Sequence, residues 1–515
     1  MSASGNLFSL LDPAFENADR PFIIRPDGST ITYGNLREQT GRFANLLAAK
    51  GVKPGDRVAV QVEKSPEALA LYLACVRAGA AFLPLNTGYT VSELEYFIGD
   101  ARPSMIVCSP ARHEALSTIG EREGCLSTET IDEHGEGSFL QAATAMPAEF
   151  ETLSCSGDTL AAILYTSGTT GRSKGTMLTH DNLVSNALTL VDYWQFTSDD
   201  VLLHALPIFH THGLFVATNV MLFARGTMLF LPKFDTEKIR EALPNATAMM
   251  GVPTFYTRLL GEPWLDRAAT AHMRLFISGS APLLAETHRQ WTERTGHRIL
   301  ERYGMTETNM ITSNPYDGDR VPGSVGFALP DVAVRVTDPE TGALLPADEI
   351  GMIEVKGPNV FKGYWQMPEK THSEFREDGF FITGDLGTMD EDGRVTLVGR
   401  GKDLIISGGF NVYPKEIESA IDALEGVEES AVIGVPHPDF GEGVTAVVVR
   451  TAAAGTVEER HIVDQLREHL ASFKLPKRVV FVPALPRNTM GKVLKGELRT
   501  QYRDLYRPGG AERPA

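Results

Sequence analysis

Cysteine is scarce in this sequence, with four residues among 515. No two of them form a C-x-x-C pair, which argues against a structural zinc site and against a disulfide scaffold. This spacing fits a reducing compartment, so we expect a cytoplasmic protein. The cysteines are Cys75, Cys108, Cys125 and Cys155.

Long apolar runs and a targeting segment are also missing. The apolar stretch at residues 68–76 ends at Arg77, which makes it too short to span a bilayer. The N-terminal segment lacks a basic start and soon reaches Asp12 and Glu16, so it is a poor signal or transit peptide. We therefore expect no membrane association.

Positive charge is in deficit, with 48 Lys and Arg against 66 Asp and Glu and a formal net charge of -18. Such a surface repels nucleic acid and anionic lipid, so neither is expected as a partner. An anionic small substrate would need local Arg or Lys side chains to attract it. The sequence therefore draws attention to basic residues near glycine-rich loops.

The length and the element pattern predict at least two domains of mixed α/β architecture. Residues 33–50 and 65–78 have helical spacing, and residues 57–62 and 105–108 have strand patterns. This alternation predicts layered α/β subdomains with a largely parallel sheet. Short strands at 352–356 and 395–398 predict a small β-barrel-like subdomain. Helices at 414–424 and 457–472, with strands at 430–435 and 444–450, predict a smaller α+β domain, and the boundary divides the chain into 1–401 and 402–515.

The strongest local signal is a glycine- and hydroxyl-rich loop at residues 165–175, YTSGTTGRSKG. An apolar run at 160–164 leads into it, which predicts a loop at the end of a strand. Glycines allow successive N–H groups to point at one anion, and hydroxyl groups and a lysine add further donors. The loop is not a Walker A motif, because its lysine is followed by glycine. The predicted polyphosphate-binding residues are Thr166, Ser167, Gly168, Thr169, Thr170, Gly171, Ser173 and Lys174.

This loop resembles the phosphate loop of the adenylate-forming superfamily, which includes acyl-CoA synthetases, luciferases and peptide-synthetase adenylation domains. Five further motifs of that superfamily follow in the same order along almost the whole chain. They are GSAPL at 279–283, YGMTET at 303–308, TGD at 383–385, GRGKDLIISGG at 399–409 and PRNTMGK at 486–492. The resemblance implies an enzyme that uses ATP, Mg²⁺ and coenzyme A.

The resemblance also implies roles for residues of the ATP site. Tyr303 would offer a flat ring to adenine, and Glu307, together with Thr166, would bind magnesium beside the phosphates. Thr306 would contact the α-phosphate, and Asp385 would accept hydrogen bonds from the ribose hydroxyls. The remaining residues implied for this site are Gly279, Ser280, Ala281, Glu301 and Arg400.

Four further positions are implied for the C-terminal domain. Lys402 would be the hinge about which this domain rotates between two half-reactions, and Gly408 and Gly409 would line a tunnel for pantetheine. Lys492 would bridge the substrate carboxylate and the α-phosphate, stabilising the charge of the transition state. The acid would attack ATP to form an acyl-adenylate and pyrophosphate, and the CoA thiol would then displace AMP. Acetylation of Lys492 would remove its charge, so a lysine acetyltransferase is a further expected partner.

Two arginines suggest which acid is activated. Arg302 precedes the adenine tyrosine, and Arg258 follows GVPTFYT on a predicted helix that would line the acyl pocket. A buried arginine requires an anionic partner, and the guanidinium group suits a carboxylate. The partner could be a second carboxylate of the substrate or a protein carboxylate such as Glu301. Ser278 could add a hydroxyl contact to this substrate. His210 resembles the catalytic residue that flanks the reacting carboxylate or gates the pocket.

The motifs LYTSGTTGRSKG, HALPIFHTHGLF, ERYGMTETNM and GGFNVYPKEIE together resemble the malonyl-CoA synthetase family. That resemblance implies malonate, and often methylmalonate, as the acid. Three alternatives remain open: a small-chain, medium-chain or aryl acyl-CoA synthetase, an adenylation domain that loads a carrier protein, and a non-catalytic nucleotide sensor.

Overall fold

The computed structural model describes residues 4–166, 173–408, 410–451, 457–488 and 491–507. Within these ranges, no helix is both long enough and apolar enough to cross a bilayer. The layered α/β class expected from the sequence is confirmed.

The N-terminal part supplies two large sheets and the helices that cover them. Its strands are β1 (Pro21–Ile24), β2 (Thr30–Thr32), β3 (Arg57–Gln61), β4 (Ala81–Pro84), β5 (Met105–Cys108), β6 (Ser127–Thr130), β7 (Leu160–Thr166), β8 (Lys174–Thr179), β9 (Val201–His204), β10 (Thr227–Phe230), β11 (Ala248–Gly251), β12 (Leu275–Ser278), β13 (Leu300–Met305), β14 (Asn309–Ser313) and β15 (Phe327–Ala328). Its α-helices are α1 (Leu7–Leu10), α2 (Tyr33–Ala49), α3 (Pro66–Ala78), α4 (Val91–Ala101), α5 (His113–Arg122), α6 (Ser138–Thr144), α7 (His180–Tyr193), α8 (Thr218–Ala224), α9 (Thr236–Ala242), α10 (Pro253–Leu260) and α11 (Ala285–Thr295). A π-helical segment, His212–Ala217, precedes α8.

The following part contains β16 (Ala333–Thr337), β17 (Gly351–Lys356), β18 (Gly363–Tyr364), β19 (Phe381–Met389), β20 (Val395–Arg400) and α12 (Pro368–Ser373). The C-terminal part contains β21 (Ile405–Ser407), β22 (Phe410–Val412), β23 (Val427–His437), β24 (Gly441–Arg450), β25 (Arg478–Val482), α13 (Pro414–Asp422), α14 (Glu459–Arg467) and α15 (Lys495–Gln501).

Local sequence explains the ends of the predicted helices. Thr32 and Asn35 form a capping box at the start of α2. Ser65 caps α3, which ends at Gly79 in the left-handed conformation, with a φ of 76°. Both helices lie where the periodicity predicts them. By contrast, α14 ends at Arg467 and is shorter than the predicted helix over 457–472.

The strand order brings the predicted motifs to sheet ends. One sheet has the order β18-β8-β7-β4-β3-β5-β6, and the other has the order β15-β14-β13-β12-β11-β9-β10-β1-β2. In the second sheet, β9 through β13 are parallel neighbours. Ligands of such sheets bind beyond the carboxyl ends of the strands. The GSAPL motif follows the carboxyl end of β12, and the π-helical segment comes after β9. The subdomain expected to resemble a barrel contains an antiparallel sheet, β16-β17-β19-β20.

The hydrophobic cores separate the C-terminal part from the rest. Before β21, the described residues form a large cluster of buried side chains between Leu7 and Val395 and a smaller one between Ala59 and Ile163. Strands β23 and β24 place alternate residues in two other clusters, one containing Val432 and the other Ile433. This alternation shows that the C-terminal sheet is covered on both faces. Helices α13 and α14 supply one cover, and α15 supplies the other.

Candidate active site

Strands β7 and β8 hold the two ends of the predicted phosphate loop together. They pair antiparallel, with Thr166 opposite Lys174. Five predicted loop residues lie outside the described residues: Ser167, Gly168, Thr169, Thr170 and Gly171. Ser173 and Lys174 are described, and Lys174 is buried. The backbone geometry therefore anchors Thr166 and Lys174 beside one another at the base of the loop.

Glu307 lies at the same base. The Thr166 hydroxyl donates to Oε1 of Glu307 at 3.5 Å. Glu307 is 5% exposed, and burial raises the pKa of its carboxyl group. No cluster of three or more His, Cys, Asp or Glu in the described part of the chain could hold a metal by itself. One carboxylate with one hydroxyl nevertheless suits Mg²⁺, because substrate phosphates and water supply its other ligands.

Two residues that the sequence did not identify complete this polar cluster. The Tyr364 hydroxyl lies 3.1 Å from Oε1 of Glu307 and 2.7 Å from Oε2 of Glu374. Glu374 also lies 3.4 Å from Nζ of Lys174. Tyr364 belongs to the two-residue strand β18 and follows Glu307 by 57 positions, so no local motif connects them.

The nucleoside side of the site is built on β13, β19 and β20. The Tyr303 hydroxyl donates to Oδ2 of Asp385 at 2.5 Å, and Arg400 Nε lies 2.7 Å from Oδ1 of the same carboxylate. Asp385 and Arg400 are opposite each other in the β19–β20 pair. Arg400 thus lies beside the carboxylate that the resemblance assigns to the ribose hydroxyls. Gly279, Ser280 and Ala281 directly follow β12, and Thr306 directly follows β13.

A buried group of polar side chains lies at the carboxyl end of β12. Arg302 is 4% exposed, and burial lowers the pKa of its guanidinium group to about 9. The guanidinium group packs so closely on the Gly279 backbone that a Cβ at position 279 would collide with it. Among the described residues, several buried polar atoms here have no hydrogen-bond partner: Arg302 Nε and Nη2, Ser278 Oγ, His210 Nδ1 and His212 Nε2.

His210 and His212 approach this group from the segment after β9. The pKa of His210 is lowered to about 4, mainly by burial and to a smaller extent by the positive charges of Arg302 and Lys492. His212 Nδ1 lies 3.2 Å from the Ser280 hydroxyl. Burial, then the charge of Arg302, also lowers the pKa of His212, so both imidazoles are neutral near pH 7. His210 was expected at this site and His212 was not, although both lie in the motif LPIFHTHGL.

Glu301 does not pair with Arg302. Successive residues of a strand point to opposite faces. Glu301 accepts a hydrogen bond from the Gly323 N–H at 3.1 Å, whereas Arg302 faces Gly279. Burial raises the pKa of Glu301 to about 8. The protein-carboxylate alternative that named Glu301 is therefore wrong.

The expectation of a second buried arginine is also wrong, because Arg258 is exposed. The α10 helix turns Phe255, Tyr256 and Leu259 to the core, which leaves Arg258 on the outer face. Its guanidinium group lies 5.8 Å from the centre of the Phe234 ring.

The loop that carries Lys492 packs against the start of α10. A Cβ on Gly491 would lie 3.0 Å from the Thr254 hydroxyl. Thr254 and Arg258 are four residues apart and share a helix face, so Arg258 lies on the side of α10 that faces this loop. The pKa of the Lys492 ammonium group is lowered, mainly because surrounding protein removes water from it and secondly because Arg400 carries the same charge. The predicted lysine therefore interacts electrostatically with Arg400, Asp385 and His210.

The predicted hinge and tunnel residues lie between β20 and β22. Lys402 is exposed on a single helical turn, Gly401–Asp403. Gly408 has a φ of 61°, and its N–H donates to the Phe440 carbonyl at 2.8 Å. Gly409 lies outside the described residues.

A phosphate loop between β7 and β8, a nucleoside site where β13 meets β19 and β20, and a basic loop from the C-terminal part define an enzyme class that activates acids with ATP. The chain belongs to the AMP-binding enzyme family, whose profile matches residues 12–365. The profile of the AMP-binding enzyme C-terminal domain matches residues 416–492.

Three known proteins show how similar the chain is to its relatives. It is 63% identical to ATP-bound MatB from Rhodopseudomonas palustris, with a TM-score of 0.96, and the similarity covers 98% of this chain and 100% of that one. It is 35% identical to a malonate–CoA ligase of Arabidopsis thaliana, over 97% of this chain and 89% of the relative. It is 37% identical to a feruloyl-CoA synthase of an Amycolatopsis species, over 93% of this chain and 95% of the relative.

Proposed function

We propose that this protein is a malonate–CoA ligase, which converts malonate, ATP and CoA into malonyl-CoA, AMP and pyrophosphate. One observation carries this choice of acid: Arg302 is buried beside Ser278 and His210 without a protein carboxylate among the described residues. The malonate–CoA ligase among the relatives supports the same substrate.

The desolvated guanidinium group explains why a dicarboxylate is favoured. A buried charge is costly unless an opposite charge and hydrogen bonds compensate it. Arg302 Nε and Nη2 are adjacent donors, and a carboxylate can accept from both of them. The far carboxylate of malonate would meet these donors, and the near carboxylate would be left for reaction. An acid with an apolar chain would leave the arginine unpaired.

The proposed mechanism uses the other clusters in turn. Thr166 and Lys174 hold the triphosphate, while Tyr303, Asp385 and Arg400 hold the nucleoside. Bound at Glu307 and Thr166, magnesium would neutralise phosphate charge. The near carboxylate of malonate attacks the α-phosphorus, and its bond to pyrophosphate breaks. Lys492 stabilises the added negative charge between carboxylate and phosphate, assisted by Thr306.

The second half-reaction requires a different domain arrangement. We assign residues 1–401 and 402–515 to the two domains, with rotation at Lys402. This assignment is supported by the separate hydrophobic cores and by the exposed turn at Gly401–Asp403. The CoA thiol loses its proton, its sulfur attacks the acyl carbon, and the bond from that carbon to the AMP phosphate oxygen breaks, so that AMP leaves. Gly408 and Gly409 are the residues that we assign to the pantetheine tunnel.

Three finer points belong to the same proposal. Methylmalonate is a second acid, because its extra methyl group leaves both carboxylates in place. Acetylation of the exposed Lys492 by an acetyltransferase would stop adenylation. The four free cysteines support a reducing cytoplasm as the compartment.

A panel of acids tests the substrate assignment. AMP release that depends on CoA should be fast with malonate, slower with methylmalonate, and at least about 100-fold slower with acetate, octanoate or ferulate. Comparable rates with ferulate or octanoate would refute the dicarboxylate pocket. If the enzyme stays fully active after stoichiometric acetylation of Lys492, the proposed regulation by acetylation is refuted, and the substrate assignment is not affected.

A further inference from the structure

The Tyr364 hydroxyl lies between two carboxylates at the base of the phosphate loop. It is 3.1 Å from Oε1 of Glu307 and 2.7 Å from Oε2 of Glu374. A hydroxyl has one proton, so it donates to one of these oxygens at a time. Tyr364 therefore connects the predicted magnesium ligand to a second acidic group that the proposed mechanism does not use.

The same tyrosine contacts the phosphate-binding lysine. Nζ of Lys174 lies 4.0 Å from the centre of the Tyr364 ring, which is a cation–π contact. Glu374 lies 3.4 Å from Lys174 and 2.5 Å from Lys370. One side chain thus contacts both the group that would bind the cation and the group that would bind the phosphates.

The position of Tyr364 is fixed by its surroundings. The residue is 2% exposed, and its backbone pairs with Thr176 of β8, two positions after Lys174. The Phe361 ring packs against it at a centroid distance of 4.9 Å, and the Phe361 N–H donates to the Glu307 carbonyl at 2.8 Å. Both ends of the contact with Glu307 are therefore held by the backbone.

We propose that Tyr364 is a positioning residue for the magnesium–ATP site, whose hydroxyl orients Glu307 towards Thr166. The inference rests on the proposed use of ATP but does not depend on which acid is activated. Its ring keeps Lys174 over the same site. A variant that lacks only the hydroxyl should therefore weaken the contribution of magnesium to nucleotide binding and leave nucleoside recognition intact.

The test is a calorimetric titration of wild type and Tyr364→Phe with α,β-methylene-ATP, once with magnesium and once with EDTA. We expect the gain in affinity due to magnesium to fall by about tenfold in the variant, because a hydrogen bond to a charged group is lost. Affinity for AMP, which lacks the β- and γ-phosphates, should stay within about twofold of wild type.

Tyr33→Phe is a matched control, because its buried hydroxyl also lies between two acceptors, the carbonyls of Met221 and Gly226, outside this site. The Tyr33→Phe variant should keep the full gain in nucleotide affinity that is due to magnesium. An unchanged magnesium gain in Tyr364→Phe, or an equal loss for AMP, would overturn the positioning role. A wild-type protein without any magnesium-dependent binding would instead overturn the proposed function, and this inference with it.

Discussion

Glu301 and Arg302 are adjacent on β13, yet their side chains face opposite sides of the sheet. The Glu301 carboxyl accepts from the Gly323 N–H, and the Arg302 guanidinium group lies against Gly279. The strand thereby separates two buried ionisable groups whose pKa values shift in opposite senses relative to their ordinary values. This separation leaves Arg302 available to a substrate anion.

Arg302→Ala should lower kcat/KM for malonate by about 100-fold or more, because the far carboxylate would be desolvated without a cation. The KM for ATP should change by less than about twofold, since the nucleoside site lies on the other face of β13. Steady-state kinetics with each substrate varied in turn provide the measurement. Arg258→Ala, which removes an exposed arginine from the side of α10 that faces the Lys492 loop, should lower kcat/KM for malonate by less than about tenfold. Equal malonate kinetics in Arg302→Ala and wild type would exclude the arginine as the substrate partner.

Gly279→Ala should also impair malonate use, because its Cβ would collide with the Arg302 guanidinium group. We expect a loss of about tenfold in kcat/KM, as the guanidinium group must shift by a fraction of an ångström or more. Gly496→Ala is the matched control, since nothing lies within 4 Å of a Cβ at that position. The effect of Gly279→Ala is also measured in the Arg302→Ala background, where the guanidinium group is absent. If Gly279→Ala lowers activity equally in the presence and absence of Arg302, the collision is not the cause.

Lys492→Ala should reduce adenylate formation by about 100-fold or more and spare thioester formation from supplied malonyl-adenylate. The reason is that the ammonium group acts on charge that develops only in the first half-reaction. Pyrophosphate release and CoA-dependent AMP release from the adenylate measure the two steps separately. Lys495→Ala removes a nearby lysine that pairs with Glu418 at 2.6 Å and should affect neither step strongly. Loss of both half-reactions in Lys492→Ala would contradict the domain rotation.

His180 should make the free energy of unfolding depend on pH. The residue is fully buried, its Nδ1 accepts from the Leu7 N–H at 3.1 Å, and burial lowers its pKa from 6.5 to about 4. The unfolded chain therefore binds more protons than the native protein between pH 6.5 and 4, so this contribution to stability is lost as the pH falls through that window.

Between pH 7 and pH 5 the loss due to His180 should be about 2 kcal/mol. His180→Asn keeps an acceptor near the Nδ1 position and does not titrate, so its urea unfolding midpoint should decline less over the same range. The difference between the two proteins cancels the contributions of other histidines. Parallel pH profiles for both would show that His180 does not titrate in this way.

Some of this structure could be read directly from local sequence. The ends of α2 and α3 follow from capping residues and a terminal glycine, whose effects act within a few positions. The phosphate loop could be recognised because its glycines, hydroxyls and lysine are contiguous. Thr166 and Glu307 were expected together from the resemblance, and the structure gives them a hydrogen bond.

Other features depended on residues distant in the chain. Arg258 was expected to be buried, but the face that a helix turns to the core depends on its neighbours, and α10 turns this residue outwards. Tyr364 and Glu374 were not found at all, since Tyr364 is brought to Glu307 by the pairing of β18 with β8 and by the hydrogen bond from the Phe361 N–H to the Glu307 carbonyl.

The sequence by itself determined the family, the ATP chemistry and the presence of an arginine before the adenine tyrosine, because these depend on residue types in short fixed patterns. Only the tertiary structure decided that Arg302 lacks a protein carboxylate while Glu301 faces away, because that depends on which face of β13 each residue occupies. It likewise brought Tyr364 to Glu307, since contacts across 57 positions arise from strand pairing and leave no local pattern in the chain.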